Sequence, residues 1–275
     1  MIPFINYWDY AISDWLSYTI DPEQAAYGSL LNPDYLPEPY WGDPDNCSFV
    51  IVNYNPGGGN NLDPHTYRTC ANSCCSIPSL IKYVKNQGYS KTALDFPLLQ
   101  SSAALKNKGW NWFLNYGGYI WWQRKRDWIK HLASVAKVPT IDDGLMPFAL
   151  ELCPWHSPKW PGPSLLIKDP LIKVIRQRVI NVMHYAICRS KGKFAVCIGK
   201  DFTDILPQFR FIPCSKTIRP ISGVDRFYQL FRHKVTDLPV LVTWANGSNR
   251  HPSSKFYAVE GTMISNIQNH ITTIL

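Results

Sequence analysis

Four short runs of near-continuous apolar character limit what this chain can fold into: Ser48 to Tyr54, Met146 to Leu152, Lys193 to Gly199 and Leu238 to Trp244. Runs of this length, rich in β-branched residues and lacking strict alternation, suit strands buried on both faces, as in a parallel sheet. Helical patterns separate them. Ile172, Ile175, Val179, Val182, Met183 and Ala186 recur at helical spacing, and Trp121 to Lys137 mixes apolar with basic positions, as an amphipathic helix does. Strand alternating with helix predicts a three-layer α/β/α sandwich around a central, mostly parallel four-stranded sheet. Ligands of such sheets sit beyond the carboxyl ends of the strands. The loops that begin at Asn55, Cys153, Lys200 and Ala245 are therefore expected along one edge.

A length of 275 residues fits one domain with insertions, with residues 1–41 as an N-terminal extension of open role. Apolar residues make up 45% of the chain and charged ones 17%, which supplies a core and argues against disorder. A formal net charge of +8 favours a polyanionic partner. The first residues carry no cationic stretch before an apolar run, and no segment approaches the roughly 18 apolar residues of a membrane span. A cytoplasmic monomer is expected, with no membrane partner. In that setting the eight cysteines read as reduced thiols. Cys70, Cys74 and Cys75 cluster without a second Cys-x2-Cys pair nearby, so they read as loop or buried thiols, and no metal or other cofactor is expected.

Three of the expected strand exits carry unusual chemistry. The first runs into Asn55-Pro56-Gly57-Gly58-Gly59, where glycines let the backbone approach a ligand closely. Asn60, Asn61 and Leu62 follow in place of the Lys-Ser/Thr pair of a nucleotide P-loop, which sets nucleoside triphosphate binding aside. The second exit reads Glu151-Leu152-Cys153-Pro154-Trp155-His156, and the fourth Asn246 to Arg250 followed by His251-Pro252-Ser253-Ser254. No Gly-x-Ser-x-Gly elbow is present, so a Ser hydrolase of that kind has no support.

In this order, each at a strand end, the motifs resemble the uracil-DNA glycosylase superfamily, especially its single-strand-selective and mismatch-specific branches. The resemblance spans Ser48 to Lys255 and rests on these short motifs. It implies that Asn55, in Asn-Pro-Gly, holds the water that attacks the sugar carbon. It also implies that His251, in His-Pro-Ser, hydrogen-bonds the base oxygen on which charge collects. The chemistry suits these residue types. Departure of a base leaves a cation-like sugar and an anionic base, both stabilised by prearranged dipoles, and one donor aimed at the oxyanion is worth about 3 kcal/mol. No metal is needed.

Two departures from the family pattern bear on substrate. Where the Cys-Pro branch has an Asn that reads uracil, this chain has Glu151. A carboxylate accepts from the amino group of cytosine and repels the carbonyl of uracil. Glu151 also fits a strand-end carboxylate that caps a nearby amide, or a protonated acid that mimics the Asn donor. Where strict uracil enzymes place a Tyr that blocks position 5 of the base, this chain has Gly57, which leaves the pocket open. Together they suggest a 5-substituted cytosine, hydroxymethylated or glucosylated, as found in some bacteriophage DNA, and hence a defensive role. A uracil or damaged-pyrimidine repair enzyme and a non-catalytic nucleic-acid-binding module stay open as alternatives.

The resemblance further points to Tyr67 as the ring on which the flipped base stacks, with core packing an equal reading. Lys255 and Phe256 fall where relatives insert a side chain into the duplex. Ser253 and Ser254 suit a DNA phosphate, and Lys200 adds charge at the third strand exit. His156 either assists the leaving base or packs on Trp155. Arg124-Lys125-Arg126 fits a solvated helix face as well as it fits DNA.

Overall fold

The computed structural model describes residues 40–54, 125–139, 145–154, 170–217 and 226–245, together with the isolated positions 103, 123 and 141. Their elements run β1 (Tyr40–Trp41), β2 (Val50–Asn53), α1 (Arg126–Val135), β3 (Phe148–Glu151), α2 (Pro170–Arg189), β4 (Ala195–Ile198), α3 (Phe202–Ile205), a 3-10 turn (Leu206–Phe209), β5 (Phe211–Pro213), β6 (Arg226–His233) and β7 (Pro239–Ala245). The strands are ordered β1-β3-β2-β4-β7-β6-β5. All four expected strands are present and occupy adjacent places; β2, β3 and β4 are shorter than their apolar runs, and β7 is as long as its run but begins one residue later. The fold is mixed α/β, a multi-stranded sheet flanked by helices.

Among the described residues the sheet has seven strands rather than four. β2 pairs β4 and β4 pairs β7 in parallel, whereas β6 pairs antiparallel with β7, and β5 with β6. The amide of Phe148 bonds the carbonyl of Phe49 at 2.9 Å, that of Ser48 bonds Met146 at 2.9 Å, and that of Cys153 bonds Tyr54 at 2.7 Å. The two stretches advance together, as parallel neighbours do. The antiparallel addition follows from a tight return at residues 234–238, too short for the crossover that a parallel neighbour requires.

By backbone contacts the chain groups into two compact units. One holds β2, β4 to β7, α1, α3, the start of β3 and the end of α2. Its core is the apolar content of the runs themselves: Val50, Ile51, Val52, Ala195, Val196, Cys197, Val240, Leu241 and Val242 are all fully buried. Phe49 stacks on Phe194 with ring centres 5.0 Å apart and planes within 7°. Burying side chains of this size stabilises by about 1.5–3 kcal/mol each. Helix α1 turns Trp128, Ile129, Leu132 and Ala133 inward, and Asp127 in its first turn suits the positive end of the helix dipole. The other unit contributes β1, the close of β3 and the first part of α2.

Candidate functional site

The strand register sets the site. Val52 lies opposite Cys197, and Cys197 opposite Val242, so Asn53 and Ile198, which end β2 and β4, lie level with Thr243, two residues before the end of β7. From β2 the chain passes to β3 on one side, and later to β4 and β7 on the other. The order therefore reverses between β2 and β4, and the crevice at such a switch point is where open α/β sheets hold ligands.

Each exit has its own local cause. Asn53 is only 6% exposed and is the polar residue that closes an otherwise apolar strand; Asn55 follows two positions on. At β4 the chain turns at Gly199, whose φ of 139° is open to glycine and strained for other residues. The Gly199 amide bonds the Thr243 carbonyl at 2.8 Å, which fastens this exit to β7. Lys200 follows with its side chain exposed. Its carbonyl accepts from the amide of Thr203 at 2.9 Å and from the Thr203 hydroxyl at 2.8 Å, starting the turn into α3. On β7, Trp244 stacks on Phe227 at 5.4 Å and 15°, which braces the strand seven residues before the position of His251.

Glu151 closes β3 with 5% exposure. Two residues later the Cys153 amide is bonded to the carbonyl of Tyr54, the residue that precedes Asn55. A carboxylate held at a strand end with so little water around it interacts strongly with any donor that reaches it, because low dielectric strengthens the attraction. The thiol of Cys197 on β4 offers little chemistry. Burial pushes the Cys197 thiol far above its ordinary range, which keeps it protonated and inert.

Glu151 and Lys200 are therefore both found at carboxyl ends of parallel strands, one buried and one exposed. Asn55, Gly57, Tyr67, His156, His251, Ser253, Ser254, Lys255 and Phe256 lie outside the described residues, as do Cys70, Cys74 and Cys75. Among the described residues no group of three or more His, Cys, Asp or Glu side chains is placed to hold a metal, and no helix is long and apolar enough to cross a membrane.

Two charged residues depart from a solvated reading. Lys125, within the basic triplet, is fully buried at the start of α1. Arg176 is 3% exposed, and its Nε and Nη1 have no hydrogen-bond partner among the described residues. Desolvation pulls its guanidinium below the ordinary value. The signal for Arg176 was its position: it falls three residues before Val179 and seven before Met183, on the apolar stripe of α2.

No family model matches this chain, and neither a curated protein nor a solved structure matches it.

Proposed function

We propose that the chain is a monofunctional DNA N-glycosylase that flips out a 5-substituted cytosine, hydroxymethylated or glucosylated, and leaves an abasic site. The observation that supports this reading best is the buried carboxylate of Glu151 at the end of β3, two residues before Cys153, whose amide bonds the carbonyl of Tyr54, the residue before Asn55. A carboxylate in that setting accepts a hydrogen from the exocyclic amine of cytosine, a bond to a charged group worth about 1.5–3 kcal/mol. Uracil presents a carbonyl at the same place and is repelled.

In the proposed reaction Asn55 orients a water against the sugar carbon C1′. The glycosidic C–N bond breaks, and its electron pair leaves with the base. The water oxygen bonds to C1′ and gives up a proton to solvent, the base anion takes up a proton from solvent, and His251 donates a hydrogen bond to the base oxygen that gains charge. Free base and an abasic deoxyribose are the products. Gly57 to Gly59 leave room for the substituent at position 5. Excision of such bases from invading bacteriophage DNA would block its replication, which makes defence the biological role.

The test is alkali-induced strand cleavage after incubation with DNA that contains uracil, cytosine, 5-hydroxymethylcytosine or its glucosylated form, with Asn55→Ala alongside. Cleavage at modified cytosine that is lost in Asn55→Ala is the expected result. Cleavage at uracil alone overturns the substrate assignment in favour of repair. Cleavage nowhere overturns the enzyme and leaves a binding module.

A further inference from the structure

The opposite edge of the sheet, where β4 and β7 begin, gathers positive charge from segments far apart in sequence. Lys191 and Lys193 lead into β4; Arg210 leads into β5; Lys234 follows β6. All four are exposed. Because β6 runs antiparallel to β7 and pairs Arg232 with Pro239, its end lies beside the start of β7. Pairing of Phe211 with His233 brings the start of β5 there as well. The Lys234 amide bonds the Arg210 carbonyl at 2.8 Å, and the Lys191 amide bonds the Cys47 carbonyl at 3.0 Å, so the backbone beneath both ends of the row is fixed.

The acids of this edge are largely engaged. Asp45 meets Arg189 at 2.8 Å, and Asp237 meets Arg232 at 2.8 Å. Asp43 is the remaining acid near the row among the described residues, and its Oδ1 already accepts the Asp45 amide. Asp201 and Asp204 stand after the carboxyl end of β4, at the other edge. From β4 across β7 and β6 to β5 are three steps between strands, about 14 Å at the usual spacing. One DNA strand rises 3.4 Å per phosphate, so a row of about 14 Å faces roughly four phosphates.

We propose that this amino-end edge, through Lys191, Lys193, Arg210 and Lys234, binds the phosphate backbone of double-stranded DNA, separately from the site at the carboxyl ends. The row follows one edge of the sheet on fixed backbone and spans the length of several phosphates, which suits a rod of regular charge. An anionic membrane surface is the other partner for such charge. It would draw on apolar anchors, and only Val235 and Ile212 are exposed large hydrophobic residues among those described. The contact carries no base information and holds DNA through released counterions.

The measurement is binding of an unmodified duplex, followed by fluorescence anisotropy between about 50 and 200 mM salt. The parent is compared with a Lys191→Gln, Arg210→Asn, Lys234→Gln variant. Lys193 is left in place because its Nζ donates to the Cys188 carbonyl at the end of α2. Asparagine is chosen for Arg210 because its φ is 66°, a conformation Asn tolerates. Each lost phosphate contact lowers the slope of log K against log salt by about 0.9, so a drop of about 2–3 is expected, with binding at low salt at least tenfold weaker. If the triple variant does not fold, Lys191→Gln with Lys234→Gln should lower the slope by about 1–2. An unchanged slope overturns the proposal, as does a parent that binds no duplex. So does loss of phosphatidylserine vesicle binding with duplex binding intact. Excision on a short oligonucleotide should persist in the variant, so failure here is distinct from failure of the glycosylase reading.

Discussion

Tyr185 donates its hydroxyl hydrogen to Asp45 Oδ1 at 2.6 Å, joining the segment before β2 to helix α2 across 140 residues of sequence. Arg189, one turn further along the helix, meets the same oxygen at 2.8 Å, and its guanidinium lies 3.8 Å from the centre of the Tyr185 ring. One carboxylate thus holds two side chains in a stacked pair. Burial, with the Asp45 carboxylate beside it, raises the phenol above its ordinary value. Tyr185→Phe keeps the ring and removes the bond. The group is partly solvated, so a loss of about 0.5–1 kcal/mol is expected in urea unfolding. Asp45→Ala removes both partners and should lose more, with the difference shrinking in high salt.

Gly192→Ala should destabilise more strongly. A Cβ at Gly192 would lie 2.7 Å from Cε1 and 2.9 Å from Cδ1 of Phe194, and 3.1 Å from the Ser48 carbonyl. The Phe194 ring cannot swing aside because it is fully buried and stacked on Phe49. Overpacking of this kind costs about 1–3 kcal/mol, and a lowered urea midpoint with an unchanged slope is the outcome to look for.

A pair of histidines sets a dependence on pH. Thr236 Oγ1 lies 3.0 Å from His184 Nε2 and 2.8 Å from His233 Nδ1, and the Thr236 amide approaches the same Nδ1 at 3.3 Å. The amide can only donate, so His233 Nδ1 acts as an acceptor and this ring is neutral. Desolvation holds both rings below the ordinary 6.5; for His184 the nearby His233 adds to it, and for His233 the nearby Arg210 does. Lys234 adjoins the turn, while the Asp237 carboxylate is occupied by Arg232. Groups with a depressed folded value give their full stability above the unfolded value and lose it as pH falls. Stability measured by denaturant should therefore decline as pH drops below 6.5, and His233→Gln should flatten that part of the profile. An unchanged profile in the variant would remove His233 from this role.

Glu151→Gln tests the substrate assignment directly. Its amide offers a donor that uracil can use and replaces the charged acceptor for the cytosine amine. Excision of modified cytosine should fall at least tenfold, with uracil excision appearing or rising, in a variant whose circular dichroism matches the parent. Equal loss on every substrate would mean that Glu151 does not read the base.

The parallel part of the fold was legible because burial on both faces writes strands as unbroken apolar runs, as in Phe49-Val50-Ile51-Val52. β6 was missed. Its sequence, Arg-Phe-Tyr-Gln-Leu-Phe-Arg-His, is neither continuous nor cleanly alternating, since only Tyr228 and Phe231 are buried among 227–233. The turn residues Lys234 to Asp237 between two aromatic and aliphatic runs were the signal that a hairpin joins β6 to β7. Lys125 and Arg176 were misread or passed over for a common reason: charge in a sequence window says nothing about which way a helix faces. Of the candidate site, strand ends were readable from where the apolar runs stop. The geometry of Asn55 and His251 was not, because it depends on loops whose path no periodicity encodes.

The strand order has a consequence for how copies of this chain meet. The outermost strands among the described residues are β1, of two residues, and β5, of three. β5 ends in Pro213, which has no amide hydrogen to offer, and Arg210 stands just before it. At these two strands a neighbouring molecule that sought to continue the ladder would find few vacant peptide groups to grip. Concentrated solutions of the folded protein should thus resist edge-to-edge fibre growth, although its interior strands are among the most adhesive segments a chain can carry.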